Sequence, residues 1–250
     1  MTFFNSVRTV CALLALGLAQ VANVSLADEM SGDRVPTERG DLIIHPVNHG
    51  TLAMAWNGHT IYVDPVGGGE RFTDLPAPDL ILVTDIHGDH LDADTLQAVA
   101  TAETRLVAPA AVIEKLPADL QEAATVLANG ETTMLLDLTV EAVPMYNLTE
   151  ERLKYHARGR GNGYIVTLGG VRVYLSGDTE DIPEMRALSD IDVAFVCFNL
   201  PYTMTEAQAA SAVRAFRPEV VYPYHFRGSD VEAFAEQVGD ASEVRIRDWY

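Results

Sequence analysis

The stretch ILVTDIHGDHLD, residues 81–92, decides the fold, because within it an apolar run gives way abruptly to polar side chains. The run begins two residues earlier as DLILVT, residues 79–84, and is typical of a strand buried on both faces. Histidine and aspartate then occupy four of six positions: Asp85, His87, Asp89 and His90. Solvated turns seldom carry this density, so the segment predicts a buried strand that delivers polar ligands to a sheet edge.

The spacing of these four side chains favours a metal site. Asp85 and His87 are two positions apart and therefore share one face of an extended chain. Gly88 permits a tight turn, after which Asp89 and His90 can point to a second position beside the first. One segment could thus serve two cations, an arrangement that clamps the attacking and leaving oxygens in hydrolysis.

Two further apolar strands end in side chains of the same kind. Asp178 follows the run VRVYLSG, and His225 follows EVVYPY. Because strand ends on one edge of a layered sheet lie close together, we expect these residues to join the cluster, with Asp178 between the cations. His156, in the polar stretch KYHARGRGNGY, and His49, which precedes a strand, are candidates for the centre and its periphery. For each residue alone, a solvated turn or a cap is the alternative.

The rest of the chain predicts one α/β layered domain over residues 41–250. Short apolar runs separated by turns fill the first half, and strands and helices alternate in the second. The clearest helix is TEAQAASAVRAF, residues 205–216, in which Thr205 and Gln208 can form a capping box. Pro218 closes it.

The composition and the N-terminal segment limit where the protein can be located and what it can bind. The 250 residues carry a formal net charge of −19, which argues against a nucleic acid or an anionic membrane as partner. Residues 1–27 are typical of a secretory signal peptide, which predicts a periplasmic or secreted protein without a stable membrane anchor. Residues 28–40 indicate a flexible lead-in. Of the two cysteines, Cys197 lies in an apolar run and is expected in the core.

Three motifs carry a resemblance to a known family. TDIHGDHLD, SGDTED and PYHFRG, in this order, resemble the metallo-β-lactamase fold superfamily, and HGTLAMAWNGHTIYVDPV resembles its opening strands. Within the superfamily, the chain looks most like the metal-dependent hydrolases that include ascorbate-6-phosphate lactonase. The resemblance covers roughly residues 41–225 and implies a four-layer αββα sandwich with one or two divalent cations, zinc, manganese or iron, at one sheet edge.

The resemblance also implies roles for individual residues. It assigns one cation to His87 and His156, the second to Asp89, His90 and His225, and a bridging position to Asp178. Asp89 would also orient the attacking water. The departure is Asp85, because the family usually has histidine there. A carboxylate at this position would ligate as a harder, anionic donor and favour manganese or iron over zinc.

The sequence indicates the substrate less clearly than it indicates the metal ligands. Arg158, Arg160 and Arg227 flank two of the proposed ligands and could bind a phosphate or carboxylate of a small substrate, although ordinary salt bridges are the alternative. We therefore expect a hydrolase acting on an ester, lactone or related bond. A phosphodiesterase on the same fold and a non-catalytic metal- or ligand-binding protein are the alternatives. β-Lactam hydrolysis is disfavoured, because the surroundings of His156 differ from the third-histidine loop of the antibiotic-hydrolysing enzymes.

Overall fold

The computed structural model describes residues 30–250, which form two seven-stranded sheets. The first contains β1 (Asp33–Thr37), β2 (Gly40–Asn48), β3 (Thr51–Trp56), β4 (His59–Val63), β5 (Leu80–Leu82), β6 (Arg105–Ala108) and β7 (Ala124–Val126). The second contains β8 (Thr132–Leu135), β9 (Leu138–Met145), β10 (Gly161–Leu168), β11 (Val171–Leu175), β12 (Val193–Cys197), β13 (Val220–Tyr224) and β14 (Glu243–Val244). In each sheet the first four strands pair antiparallel and the last four pair parallel, so the two halves of the chain repeat one topology.

Helices accompany the parallel part of each sheet. The first half contains α1 (Ala93–Val99), α2 (Ala110–Ile113) and α3 (Ala118–Ala123), and the second contains α4 (Pro183–Arg186), α5 (Glu206–Phe216) and α6 (Val231–Val238). Three short 3-10 turns complete the regular structure, at Gly69–Phe72, Glu150–Arg152 and Gly239–Ala241. The capping box predicted for α5 is confirmed, with the Thr205 hydroxyl accepting from the Gln208 backbone N–H.

Alternation along the strands separates two hydrophobic cores. In β3, Leu52, Met54 and Trp56 pack into the core shared by the two sheets, whereas Ala53 and Ala55 face a second core outside the first sheet. Successive side chains of a strand point to opposite faces, so a strand that is apolar throughout is buried on both sides. This is the physical basis of the apolar runs in the sequence.

Helical side chains fill the outer positions. Leu96 and Val99 of α1 belong to the core outside the first sheet, while Ala209, Val213 and Phe216 of α5 pack against the core that includes the second sheet. The layers are therefore helix, sheet, sheet and helix, and the predicted αββα sandwich is confirmed.

The predicted lead-in over residues 28–40 is wrong for its second half. Asp33–Thr37 form β1, which pairs in register with β2. The Tyr222 hydroxyl donates to Asp33 Oδ2 over 2.7 Å, and Trp56 Nε1 donates to the Thr37 hydroxyl over 2.9 Å. The strand lies at the sheet edge and has no buried apolar run, which is the usual signal of a strand in a sequence.

The run EVRIRDW, residues 243–249, alternates like a strand but forms one only at its start. Only Glu243–Val244 pair with β13. The chain then leaves the sheet, and the Trp249 carbonyl accepts a hydrogen bond from the His49 backbone N–H over 2.9 Å. The end of the chain therefore packs beside the turn between β2 and β3.

Two further predictions concern the N-terminal segment and Cys197. The signal peptide proposed for residues 1–27 lies outside the described residues. Over the described range, no helix has the length and apolar character needed to cross a bilayer. Cys197 is fully buried, as expected of a core residue, and burial raises the pKa of its thiol to about 12.

Candidate metal centre

All seven residues predicted as metal ligands meet at one edge of the sandwich. Asp85, His87, Asp89 and His90 follow β5; Asp178 follows β11, His225 follows β13, and His156 precedes β10. Parallel strands bring their carboxyl ends to one edge, and β10, antiparallel to β11, begins at that same edge. The centre thus draws side chains from both sheets.

Asp178 lies in the middle of the cluster. Its Oδ2 atom is 3.2 Å from His156 Nε2 and 3.4 Å from His90 Nε2, and its Oδ1 atom is 3.4 Å from His225 Nε2. This carboxylate contacts both proposed halves of the centre, which is the placement that a bridging ligand requires. Burial alone would raise the pKa of Asp178, but His225, His90 and His156 hold it well below its ordinary value, so the carboxylate is ionised.

The first group of candidate ligands is Asp85, His87 and His156, whose ligand atoms lie within 4.8 Å of one another. Asp85 Oδ2 is 2.6 Å from His87 Nδ1 and 3.8 Å from His156 Nε2. A carboxylate and two imidazoles at this separation are a donor set suited to a divalent transition metal.

Two more groups share His225. One joins it to His90 and Asp178, and the other joins it to Asp89 and His49, each with ligand atoms within 4.8 Å. His49 Nε2 is 3.4 Å from Asp89 Oδ2, and its ring centroid is 3.7 Å from that of His225. His49, expected only at the periphery, therefore lies in the ligand cluster itself.

Buried atoms without partners support the fit to a cation. Over residues 30–250, His90 Nε2 and Asp178 Oδ1 are buried and make no hydrogen bond. Burying an unpaired polar atom is costly, and buried charges in proteins are paired or coordinate metals. Because both atoms point into a cluster of imidazoles and carboxylates, the donor set fits one or two divalent ions.

Asp64, which was not among the predicted site residues, sets the orientation of His90. Its Oδ2 atom lies 2.7 Å from His90 Nδ1 and accepts from the Thr84 hydroxyl over 2.6 Å, and its Oδ1 accepts from the Thr84 backbone N–H over 2.7 Å. With Nδ1 engaged in this way, His90 presents Nε2 to the cluster. In the sequence this role is indicated by an aspartate near the end of the buried run TIYVDP, residues 60–65. An aspartate there is equally typical of an ordinary turn.

Asp85 is fully buried and has a second partner that the sequence did not suggest. Arg160 Nη2 donates to Asp85 Oδ2 over 3.1 Å, and Arg160 Nε donates to Oδ1 over 3.3 Å. The guanidinium offsets the extra negative charge that aspartate brings where histidine is usual. Burial would raise the pKa of Asp85, but the hydrogen bond from His87 and nearby histidines lower it, so Asp85 is anionic.

We expect Asp85→Ala to lower the bound metal by about one equivalent, because it removes a donor and leaves the Arg160 charge facing His87 and His156. Metal content measured by mass spectrometry after equilibration with manganese, iron or zinc checks this. Arg160→Gln is the matched variant and should retain the metal, since Asp85 stays. Full metal content in Asp85→Ala would instead make Asp85 a structural partner of Arg160.

A cavity of about 360 Å³ opens onto the centre, and its lining consists of His87, Asp89, Tyr155, His156, Asp178, Tyr202 and His225. None of the three predicted substrate-binding arginines is among these lining residues in the described chain. Arg158 pairs with Glu184 over 2.7 Å, Arg160 pairs with Asp85, and the Arg227 guanidinium stacks 5.1 Å from the Tyr250 ring centroid. The role of these arginines in substrate binding stays a prediction.

Comparison with known proteins identifies the family. The model of the beta-lactamase superfamily domain matches residues 44–225. A UPF0173 metal-dependent hydrolase of Thermococcus kodakarensis is 31% identical over 177 residues, which cover 67% of this chain and 78% of the relative. A crystal structure from Parabacteroides distasonis, assigned as a metal-dependent hydrolase, is 44% identical and superposes with a TM-score of 0.81 over 87% of this chain and 98% of that one.

A more distant structure supports the architecture alone. The metallo-beta-lactamase fold protein YhfI from Bacillus subtilis is 12% identical, with a TM-score of 0.66 over 82% of this chain and 95% of that one. The two-sheet architecture, the order of the motifs and the closer relatives agree. The chain therefore belongs to the beta-lactamase superfamily, within its UPF0173 family of metal-dependent hydrolases.

Proposed function

We propose that this protein hydrolyses an ester, lactone or related bond of a small substrate, using one or two divalent cations, zinc, manganese or iron. The observation that carries the proposal is the cluster itself. Seven imidazole and carboxylate side chains converge from both sheets beside a cavity, and two of their buried atoms, His90 Nε2 and Asp178 Oδ1, make no hydrogen bond in the described chain.

A bound divalent cation supplies Lewis acidity, which polarises a scissile carbonyl and acidifies water. The chain's own residues provide the rest. The Asp89 side chain is 45% exposed and lines the cavity, and its Oδ2 atom is held by His225 at 3.3 Å and His49 at 3.4 Å. Its Oδ1 atom makes no hydrogen bond within the described chain, so it can accept one from the attacking water and orient it.

The charge state of Asp89 suits this role. Burial would raise the pKa of Asp89, but hydrogen bonds from His225 and His49 hold it far below its ordinary value. The carboxylate is therefore ionised and available as an acceptor at neutral pH. The lowered pKa thus favours a carboxylate that orients the water as a hydrogen-bond acceptor.

The substrate's charge, the bond specificity and the location rest on separate features of the chain. Three arginines favour an anionic substrate. Arg158 and Arg160, however, are paired with Glu184 and Asp85, so Arg227 is the arginine that still supports this substrate class. The lactonase-like specificity rests on the resemblance of the motifs. The apolar segment at residues 10–22 supports a periplasmic or secreted location and no stable anchor, and the net charge of −19 supports a small-molecule partner rather than a nucleic acid.

The experiment removes metal with a chelator, restores zinc, manganese or iron(II) in turn, and screens a lactone, p-nitrophenyl acetate and bis(p-nitrophenyl) phosphate. We expect metal-dependent hydrolysis of the lactone or the ester, and a loss of at least about 100-fold in kcat/KM for Asp89→Asn. Asp94→Asn, an exposed aspartate on α1, is the matched control and should be unaffected.

The other outcomes separate the alternatives. Hydrolysis of the phosphodiester alone would identify a phosphodiesterase. Tight metal binding without turnover of any compound would identify a binding protein. A purified chain that neither retains nor takes up metal would refute the proposal as a whole.

A further inference from the structure

Exposed hydrophobic side chains gather beside the candidate centre. Among residues 30–250, seven large hydrophobic residues are exposed. Four of the seven lie on two short loops next to the cavity, with exposures between 45% and 51%: Leu148, Leu153, Leu200 and Tyr202. We call these four residues the apolar rim. Single exposed hydrophobics are ordinary, but a local concentration of them marks a binding surface.

The two loops that carry the rim are joined to each other and to the cavity. Asn147 Nδ2 donates to the Tyr202 carbonyl over 2.7 Å and to the Arg152 carbonyl over 2.9 Å. The rings of Tyr155 and Tyr202 meet edge to face, with centroids 5.1 Å apart, and both rings line the cavity. The rim is therefore continuous with the space above the candidate ligands.

Buried Glu180 fixes the backbone of the rim loop that carries Leu148. Glu180 is buried, and its Oε2 atom accepts hydrogen bonds from the backbone N–H groups of Leu148 and Thr149, each over 2.7 Å. Its Oε1 atom pairs with Arg152 over 2.6 Å. A loop whose backbone is fixed in this way presents its leucines to solvent at little further entropic cost on binding.

The cationic side chains on the loop between β9 and β10 already have partners within the protein. Arg152, Arg158 and Arg160 each pair with a carboxylate of the protein, at 2.6, 2.7 and 3.1 Å. The Lys154 ammonium lies over the Tyr155 ring, 4.8 Å from its centroid. The cationic side chains of this loop thus each have a partner within the protein, and the leucines and tyrosine of the rim are the apolar surface beside the cavity.

We propose that the apolar rim binds an uncharged hydrocarbon part of the substrate, an acyl or alkyl chain, while the scissile bond lies at the centre. This inference rests on the proposed hydrolase function and specifies its substrate class. Burial of a methylene group is worth up to about a fourfold gain in affinity, so the rim should make binding depend on chain length.

The test is a chain-length series with the metal-loaded protein. We expect kcat/KM for p-nitrophenyl esters to rise about two- to fourfold per methylene from acetate to octanoate. The double variant Leu148→Ser/Leu200→Ser should flatten this rise. Val126→Ser/Met134→Ser removes two hydrophobic side chains that are at least as exposed, elsewhere on the described surface, and should retain the full slope.

A binding series makes the test independent of turnover. The same rise per methylene is expected in the affinity for n-alkyl hydroxamates, from acetyl to octanoyl, measured by calorimetry. A flat hydroxamate series overturns the rim proposal whether or not esters are hydrolysed. If esters are cleaved with no length dependence, the hydrolase function stands and the rim proposal fails. The double variant is also tested by sedimentation. If its molecular mass changes there while the chain-length dependence of both the ester and the hydroxamate series stays intact, the rim is a contact between copies of the chain.

Discussion

Asp178→Asn should abolish activity, with a fall of about 1000-fold or more in kcat/KM and a loss of bound metal. This carboxylate is the one group within 3.4 Å of three candidate imidazoles, His90, His156 and His225, in the described chain. Asparagine keeps the shape but removes the negative charge and one anionic donor. A 1000-fold loss corresponds to about 4 kcal/mol of transition-state stabilisation, the scale of a misassembled electrostatic site.

Steady-state kinetics with the substrate found in the screen, together with metal content, measures this prediction. Asp181→Asn is the matched control. Asp181 lies three residues farther along the same loop and faces Arg186 over 3.2 Å rather than the centre. It should retain both metal and activity. An Asp178→Asn protein with full metal content and only a modest loss of rate would show that Asp178 does not join the two halves of the site.

Asp64→Asn should cost about 3 kcal/mol of unfolding free energy and about 10- to 100-fold in metal affinity. Asp64 is fully buried and accepts from the Thr84 backbone N–H and hydroxyl while its Oδ2 atom contacts His90 Nδ1. Asparagine replaces one acceptor by a donor, so at least one partner is left unsatisfied in the interior. His90 also loses the contact that fixes its ring, which weakens a ligand without touching the metal.

Two measurements separate these effects. Chemical denaturation in the presence of chelator reports the stability loss, and titration with manganese or zinc reports the affinity. Asp79→Asn is the control, because Asp79 Oδ2 accepts from the Thr60 backbone N–H over 2.8 Å in the same sheet but on the surface. It should change stability by less than about 1 kcal/mol and leave metal affinity alone. If Asp64→Asn and Asp79→Asn changed the unfolding free energy and the metal affinity equally, Asp64 would have no specific role in the site.

The sequence predicted the ligand cluster because of a simple rule of sheet geometry. Asp85, His87, Asp178 and His225 each follow an apolar run, and parallel strands end at one edge. His156 was harder, because it precedes its strand, and only the antiparallel pairing of β10 with β11 brings it to the same edge. The layered fold followed from the same runs, since strands that are apolar on both faces need a cover on each side.

Long-range side-chain partnerships were beyond the sequence. Arg160 meets Asp85 across 75 positions, and no periodicity or spacing connects the two. Asp64 lies 26 positions from His90 and resembles a turn aspartate until the sandwich is closed. The edge strand β1 was missed because it is only half buried, so it lacks the apolar signal that marks the inner strands.

The order of the strands has a consequence for how the protein assembles. Every strand pairs with its neighbour in the chain, so no strand pairing joins one half of the chain to the other. The ligand cluster, in contrast, joins residues such as Asp85 and Asp178 that belong to different halves. The centre is therefore complete only after the two halves dock, so the uptake of metal during refolding should follow that docking.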